Sequence, residues 1–526
     1  MFLKILLLVV FFASMIGVGI YCRRTADSVH GFVLGGRSVG PWLSAFAYGT
    51  SYFSAVIFIG YAGQFGWKYG ISATWIGIGN AIIGSLLAWV ILGRRTRLMT
   101  QQLDSKTMPD FFGNRFLSPA LKVVASIIVF VFLIPYTASL FNGLSRLFTM
   151  AFNIDYIWCV LLMAVLTGIY VVVGGYMATA INDFIQGIIM IFGIIVVVLA
   201  VLHTNGGFTE AIASLSAISA ESNPDLRGAF TAFFGPEPIM LLGVVILTSL
   251  GTWGLPQMVG KFYAIKNESA ISKGTLISTL FAFIVAGGCY FLGGFGRLYG
   301  DSIEYSASGT PVYDSIVPQM LSGLPDIVVA LVVILVLSAS MSTLSSLVLT
   351  SSSTLTLDLI APLMKEKLDE KKKMLCIRVL VVFFIAVSSI IAIVQVKSNV
   401  TFIAQLMGIS WGALAGAFLA PFMYSLYSKK ISRASVWVSF ISGVGIMVAN
   451  MICTASGVTF ISPYFSSPIN AGMLAMLVGL VLVPVVSLFT PKPDAAEVDK
   501  MFACYNQTVT VNSTVALSDE NKKTDK

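Results

Sequence analysis

Charge is what this sequence has least of. Only 11% of its 526 residues are Asp, Glu, Lys or Arg, where a soluble domain carries about 25%. Apolar residues make up 57%, and the mean hydropathy is +0.90. Most of the chain cannot face water, which excludes a soluble enzyme and a disordered scaffold. Histidine is nearly absent. His30 and His203 stand far apart, neither in a metal-ligand spacing, so a His-based metal centre is excluded. The six cysteines are isolated, with no C-x-x-C pair, and read as small apolar filler. No polar segment is long enough for a soluble domain.

What is present is apolar runs of spanning length, about 20 residues each. They fall near 2–22, 41–65, 71–93, 122–148, 156–174, 176–202, 233–260, 274–297, 327–352, 377–396, 400–427, 435–455 and 469–489. The fold class expected is an all-α polytopic membrane protein of about 13 transmembrane helices. Residues 1–490 form a single transmembrane domain and residues 491–526 a short polar tail. The first run is too long for the h-region of a cleaved signal, and its positive charges follow it. It reads as a retained helix with its N-terminus outside.

The basic residues test that topology. With 13 spans, six of the 32 Lys and Arg fall outside: Lys4, Lys68, Arg146, Arg227, Arg297 and Lys397. The other 26, Lys261 among them, fall in inside segments. This bias puts the C-terminus in the cytoplasm. It also accounts for the net charge of +8 without nucleic acid, because the charge is spread over many loops.

Three places depart from ordinary apolar helix. Residues 41–65 and 233–260 each carry a Gly-Thr pair mid-span, Gly49-Thr50 and Gly251-Thr252, and the second adds Gly254 and Pro256. Such residues loosen or break a helix, and carbonyls freed in lipid need a partner, which a bound cation supplies. Gly and Pro also serve close packing in membrane helices. In the ninth span, Ala339, Ser342, Thr343 and Ser346 share one helical face. Their oxygens are hard ligands suited to Na+, although a small-residue face also serves packing. Finally, Asp183 lies at the cytoplasmic start of the sixth span. An intramembrane carboxylate is a functional candidate, unless it merely serves the helix start.

Five segments in order resemble the sodium/solute symporter family, including its sodium/proline and sodium/pantothenate branches. They are GGRSVGPWLSAFAYGTSYFSA, TMPDFFGNRF, GGYMATAINDFIQG, GTWGLPQMVGKF and SMSTLSS, within residues 31–427. The resemblance implies a LeuT-type core of two inverted five-helix repeats, roughly 41–202 and 233–427. It implies a sodium site from the carbonyls of Thr50, Phe53 and Ala339 and the hydroxyls of Ser342 and Thr343, with Asp183 on the sodium pathway. One departure stands out: the sodium/proline branch has Asp at the position of Tyr52.

The expected function is Na+-coupled symport of a small organic solute into the cell by alternating access. The solute is an amino acid such as proline, or a monocarboxylate or vitamin such as pantothenate. Helix placement suggests Tyr52, Ser54, Trp253, Gln257 and Trp411 as solute contacts. Na+ is the co-transported ion, with no organic cofactor and no obligate protein partner expected. The rivals are a proton-coupled symporter of the same fold, a membrane-embedded enzyme and a sensor. The enzyme lacks a polar catalytic constellation, and residues 491–526 are too few for a kinase.

Overall fold

The computed structural model describes residues 2–219, 227–306, 309–364, 369–398 and 403–506. The start of the predicted 400–427 span and residues 507–526 of the predicted tail lie outside the described residues. Among the described residues there is no strand, and only two isolated bridges, Val39 with Ile265 and Tyr305 with Pro311, interrupt an all-helical chain. Proline opens the helices at Pro41, Pro119, Pro238, Pro256 and Pro468, a position where its missing N–H is no loss. Side chains of Thr107, Ser118, Asn267 and Ser432 cap free N–H groups at other starts.

Ten described helices are long and apolar enough to cross a membrane, or eleven with the bent pair Pro238–Gly254 and Pro256–Tyr263. Two have double length, Val56–Gln102 with 47 residues and Tyr156–Thr204 with 49. At about 1.5 Å per residue, each is more than twice as long as the ~30 Å hydrocarbon layer is thick. Each contains a glycine at positive φ where the helix geometry fails, Gly70 (φ 62°, ψ −141°) and Gly175 (φ 57°, ψ −154°). Only glycine adopts such a backbone without strain.

The Asp326–Thr354 and Ile403–Tyr427 helices are buried along most of their length and form the centre. Helices at the edge, including Phe2–Cys22, Arg433–Ala455 and Pro468–Phe489, keep apolar side chains such as Val9, Ile441, Ile452 and Leu488 exposed. In a polytopic protein that belt faces lipid. Elsewhere helices touch backbone to backbone: a Cβ on Gly66 would lie 1.9 Å from the Gly293 carbonyl oxygen.

The loops read as cytoplasmic gather at one end and are tied together there. Arg37 donates to the Tyr263, Thr100 and Ser105 carbonyls. Arg433 reaches the Phe116 carbonyl and Arg115 those of Ser425 and Ser428. The segment Ala495–Phe502 docks on the same end, burying Val498, Met501 and Phe502. Asp499 pairs with Lys429 at 2.6 Å, and Arg95 lies over the rings of Tyr427 and Tyr505.

Candidate functional site

The first break lies later than glycine placement suggests. The Pro41–Tyr52 helix runs through Gly49 and Thr50, and Phe53 is extended (φ −95°, ψ 125°) before helix resumes. Gly49 has a different use, because a Cβ there would lie 2.5 Å from the Phe281 ring. In the second broken span, Gly251–Gly254 is a tight 3-10 turn, Leu255 is extended, and Pro256 starts the next helix. A Cβ on Gly254 would meet the Leu419 amide nitrogen at 2.8 Å, so the turn presses on the 403–427 helix.

Because the first helix stops at Tyr52, the carbonyl of Thr50 belongs to its last turn, where oxygens have no intrahelical partner. Side chains of the 326–354 helix supply one. Ser342 Oγ reaches the Thr50 carbonyl at 3.1 Å and the Ala339 carbonyl at 3.0 Å. Thr343 Oγ1 reaches the carbonyls of Thr50 at 3.2 Å, Phe53 at 3.2 Å and Ala339 at 3.1 Å. Five oxygens from segments nearly 300 residues apart thus converge, all on residues essentially without solvent contact. A hydroxyl has one proton and two lone pairs. Here the hydroxyls donate to the carbonyls, and all five oxygens are hard donors of the kind a hard cation takes. No net charge lines the cluster.

Beside the break, Tyr52 packs on Trp411 with ring centroids 6.0 Å apart, and Tyr136 meets the same indole edge-on at 6.0 Å. The hydroxyls of Tyr52, Ser54 and Tyr136 and the Trp411 Nε1 are buried without a hydrogen-bond partner among the described residues. Buried polar atoms are seldom left so. Sequence reasoning missed Tyr136. Its signal was a polar aromatic next to Pro135 inside a long apolar helix. Trp253 differs from these, since its Nε1 donates to the Ile83 carbonyl at 2.9 Å. Gln257 lines a narrow crevice of about 40 Å³ at the loop-rich end, together with Lys261, Ser346, Tyr176 and Thr107. That is far below the roughly 300 Å³ of a small-molecule site.

Asp183 is completely buried on the 156–204 helix, eight residues beyond the Gly175 break. Its partner is Lys261, whose Nζ stands 3.5 Å from Asp183 Oδ2 and 2.9 Å from Ser346 Oγ. This corrects the placing of Lys261 among the loop charges: it is 3% exposed, on the helix that follows the second break. The predicted span ended one residue short of it. A second buried cluster closes the same end. Asp358 accepts from Thr107 and pairs with Lys122 at 3.3 Å, and Lys122 also holds Asp110 at 2.6 Å.

Known proteins share this architecture, and relatives share about a quarter of this sequence. The fold matches that of a Na+-coupled sialic acid symporter solved in a substrate-bound, outward-open state, with a TM-score of 0.76 over 94% of this chain and 99% of that one, at 16% identity. In sequence the chain is 27% identical over 495 residues to the osmoregulated proline transporter OpuE of Bacillus subtilis, covering 93% of this chain and 95% of the relative. It is 28% identical over 497 residues to sodium/proline symporter 2 of Staphylococcus saprophyticus, covering 93% and 92%. The model of the sodium:solute symporter family matches residues 32–443, from just before the first broken helix into the Arg433–Ala455 helix, and the chain belongs to that family.

Proposed function

We propose that this symporter carries one small organic solute into the cell with Na+ held by the Thr50, Phe53 and Ala339 carbonyls and the Ser342 and Thr343 hydroxyls. The observation that carries the reading is the convergence of those five neutral oxygens on the end of a broken helix. Freed carbonyls at a helix break are where transporters of this architecture coordinate sodium. Division of the two double-length helices at Gly70 and Gly175 brings eleven crossings to thirteen. It also brings the first of the inverted repeats, about 41–202, to five helices, matching the five of the second, about 233–427. The N-terminus then lies outside, and the loop-rich end with the docked C-terminal segment is cytoplasmic, in keeping with its basic residues.

Solute sits against Tyr52, Ser54, Tyr136 and Trp411, whose unpartnered polar atoms supply donors around an aromatic wall. No charged side chain is among them, so a carboxylate on the solute balances its charge against the neighbouring Na+. A compact zwitterion with an apolar ring, such as proline, fits that chemistry, and relatives are named for proline. Pantothenate and small monocarboxylates share the carboxylate. Ion release passes Asp183 and the Gln257 crevice. Each Na+ entering gains about 2.3 kcal/mol per 100 mV from the membrane potential.

The test is uptake of radiolabelled proline, pantothenate and small monocarboxylates into membrane vesicles, with Na+ or with choline. Transport is expected only with Na+, and Ser342→Ala combined with Thr343→Ala is expected to abolish it. Undiminished sodium-dependent uptake by that double variant would overturn the ion site, and uptake driven equally by a proton gradient in choline would overturn the coupling ion.

A further inference from the structure

The docked segment Ala495–Phe502 leaves a space beneath it at the loop-rich end. Between that segment, the Met108–Arg115 helix and the start of the Arg433–Ala455 helix lies a cavity of about 540 Å³. Three cations line it, Arg115, Arg433 and Lys492. The two carboxylates on its wall are already engaged. Asp494 accepts from the amides of Ala496 at 2.8 Å and Glu497 at 3.4 Å, which caps the docked helix, and Glu497 pairs with Lys500 at 2.8 Å.

Arg115 is the most buried of the three cations, at 1% exposed. Its Nε donates to the Ser425 carbonyl at 3.4 Å and its Nη2 to that of Ser428 at 3.2 Å. Nη1 is buried and has no hydrogen-bond partner among the described residues. No carboxylate pairs with this guanidinium among the described residues, and burial pulls its pKa down to about 10. A buried charge without a counter-charge calls for one. A guanidinium fork takes a phosphate with two parallel hydrogen bonds.

The mouth of the cavity favours a lipid over a free ion. Leu117 on its wall is exposed, and so are Leu488 and Phe489, which precede Pro491 of the same wall. Trp437 also lines the cavity, and Ile441, one turn further on the same helix face, is exposed. The apolar belt therefore reaches the cations, with a tryptophan at the boundary as at a membrane–water interface. Basic pockets between membrane helices are where anionic headgroups bind.

We propose that this cavity holds the headgroup of one anionic phospholipid, with its phosphate among Arg115, Arg433 and Lys492 and its acyl chains along Ile441, Leu488 and Phe489. The lipid ties the 108–115 helix and the 433–455 helix to the docked segment. The site shares no residue with the ion cradle and does not depend on the reading given to it.

The experiment titrates the purified, delipidated full-length chain in detergent with radiolabelled phosphatidylglycerol or phosphatidylcholine, with inorganic phosphate as competitor. One phosphatidylglycerol is expected to bind, phosphatidylcholine on the order of tenfold more weakly, and inorganic phosphate should not displace the lipid. Arg433→Gln and Lys492→Gln should each weaken phosphatidylglycerol binding about fivefold and leave phosphatidylcholine unchanged. Arg94→Gln, a basic residue outside the cavity that pairs with Glu268, should change neither. Arg115 also holds backbone carbonyls and is left in place. Lys492→Glu, at an exposed position, reverses the charge instead and should weaken binding further, with Tm in the absence of lipid unaltered. Equal affinity for the two lipids, or unaltered phosphatidylglycerol binding by Lys492→Glu and Arg433→Gln, overturns the proposal. Displacement of the lipid by inorganic phosphate at matching concentration assigns the cavity to a free anion and overturns it as well.

Discussion

Thr343→Val is the sharpest probe of the ion cradle. Valine keeps the shape of threonine and replaces its hydroxyl by a methyl, so the packing of this fully buried side chain is left nearly intact. Thr343 Oγ1 is the atom that links the carbonyls of Thr50, Phe53 and Ala339. With Na+ bound, its loss removes one of five oxygen ligands. An interaction with a charged group contributes roughly 1.5–3 kcal/mol, and each 1.4 kcal/mol is about tenfold in affinity. The empty state also loses a hydrogen bond. The Thr50 and Ala339 carbonyls keep Ser342 as a donor, and the Phe53 carbonyl does not. That offsets roughly 1 kcal/mol. The net expectation is about a 3- to 30-fold rise in half-saturating Na+, with the maximal rate of solute uptake little changed. Uptake in vesicles at a clamped membrane potential, titrated with Na+ at constant ionic strength, measures it. Thr343→Ser should stay close to the unaltered protein. A valine variant with unchanged half-saturation, or a serine variant as impaired as valine, would refute the assignment of the hydroxyl as a ligand.

Tyr136→Phe removes a buried hydroxyl that meets no partner at hydrogen-bond geometry among the described residues and lies beside Ser54 and Trp411. It should raise the solute KM about fivefold, for one hydrogen bond of roughly 1 kcal/mol, while Na+ binding measured without solute stays unchanged. Gly66→Ala places a methyl 1.9 Å from the Gly293 carbonyl oxygen. Backbone cannot step aside as a side chain does, so a loss of about 3 kcal/mol or more should appear as a collapse in yield and Tm in detergent. A normal Tm would show that the two helices separate freely. Truncation after Asp494 removes Val498, Met501 and Phe502 from their pocket and Tyr505 from Arg95. It should lower Tm by several degrees and leave half-saturating Na+ intact, which thermal unfolding and uptake assays read separately.

The type of the elements was legible in the chain because a long apolar segment in lipid has almost one solution, a helix that satisfies its own backbone. The shared face of Ala339, Ser342 and Thr343 was legible for a similar reason: helical spacing is a local property. The breaks were only half visible. Glycine and proline marked the broken spans, but the first opening falls at Phe53, because Gly49 is needed for the approach of Phe281. Tyr136 and Asp358 carried no periodic signal. Lys261 looked like a loop charge, since it lies where an apolar run ends.

Sequence by itself therefore determined the membrane, the helices, the bias of charge between their ends and one oxygen-bearing face. What meets that face is a matter of tertiary structure: the family resemblance implied Thr50 and Phe53, and only the structure brought Lys261 to Ser346. Thr50 stands 293 residues from Thr343, and Asp183 stands 78 from Lys261. Such pairings depend on how helices pack across the whole chain, and no spacing within one helix encodes them. The same holds for charge. A lysine at the edge of an apolar run is a cytoplasmic loop residue or a buried cation according to whether a carboxylate on another helix faces it, and Asp183 does.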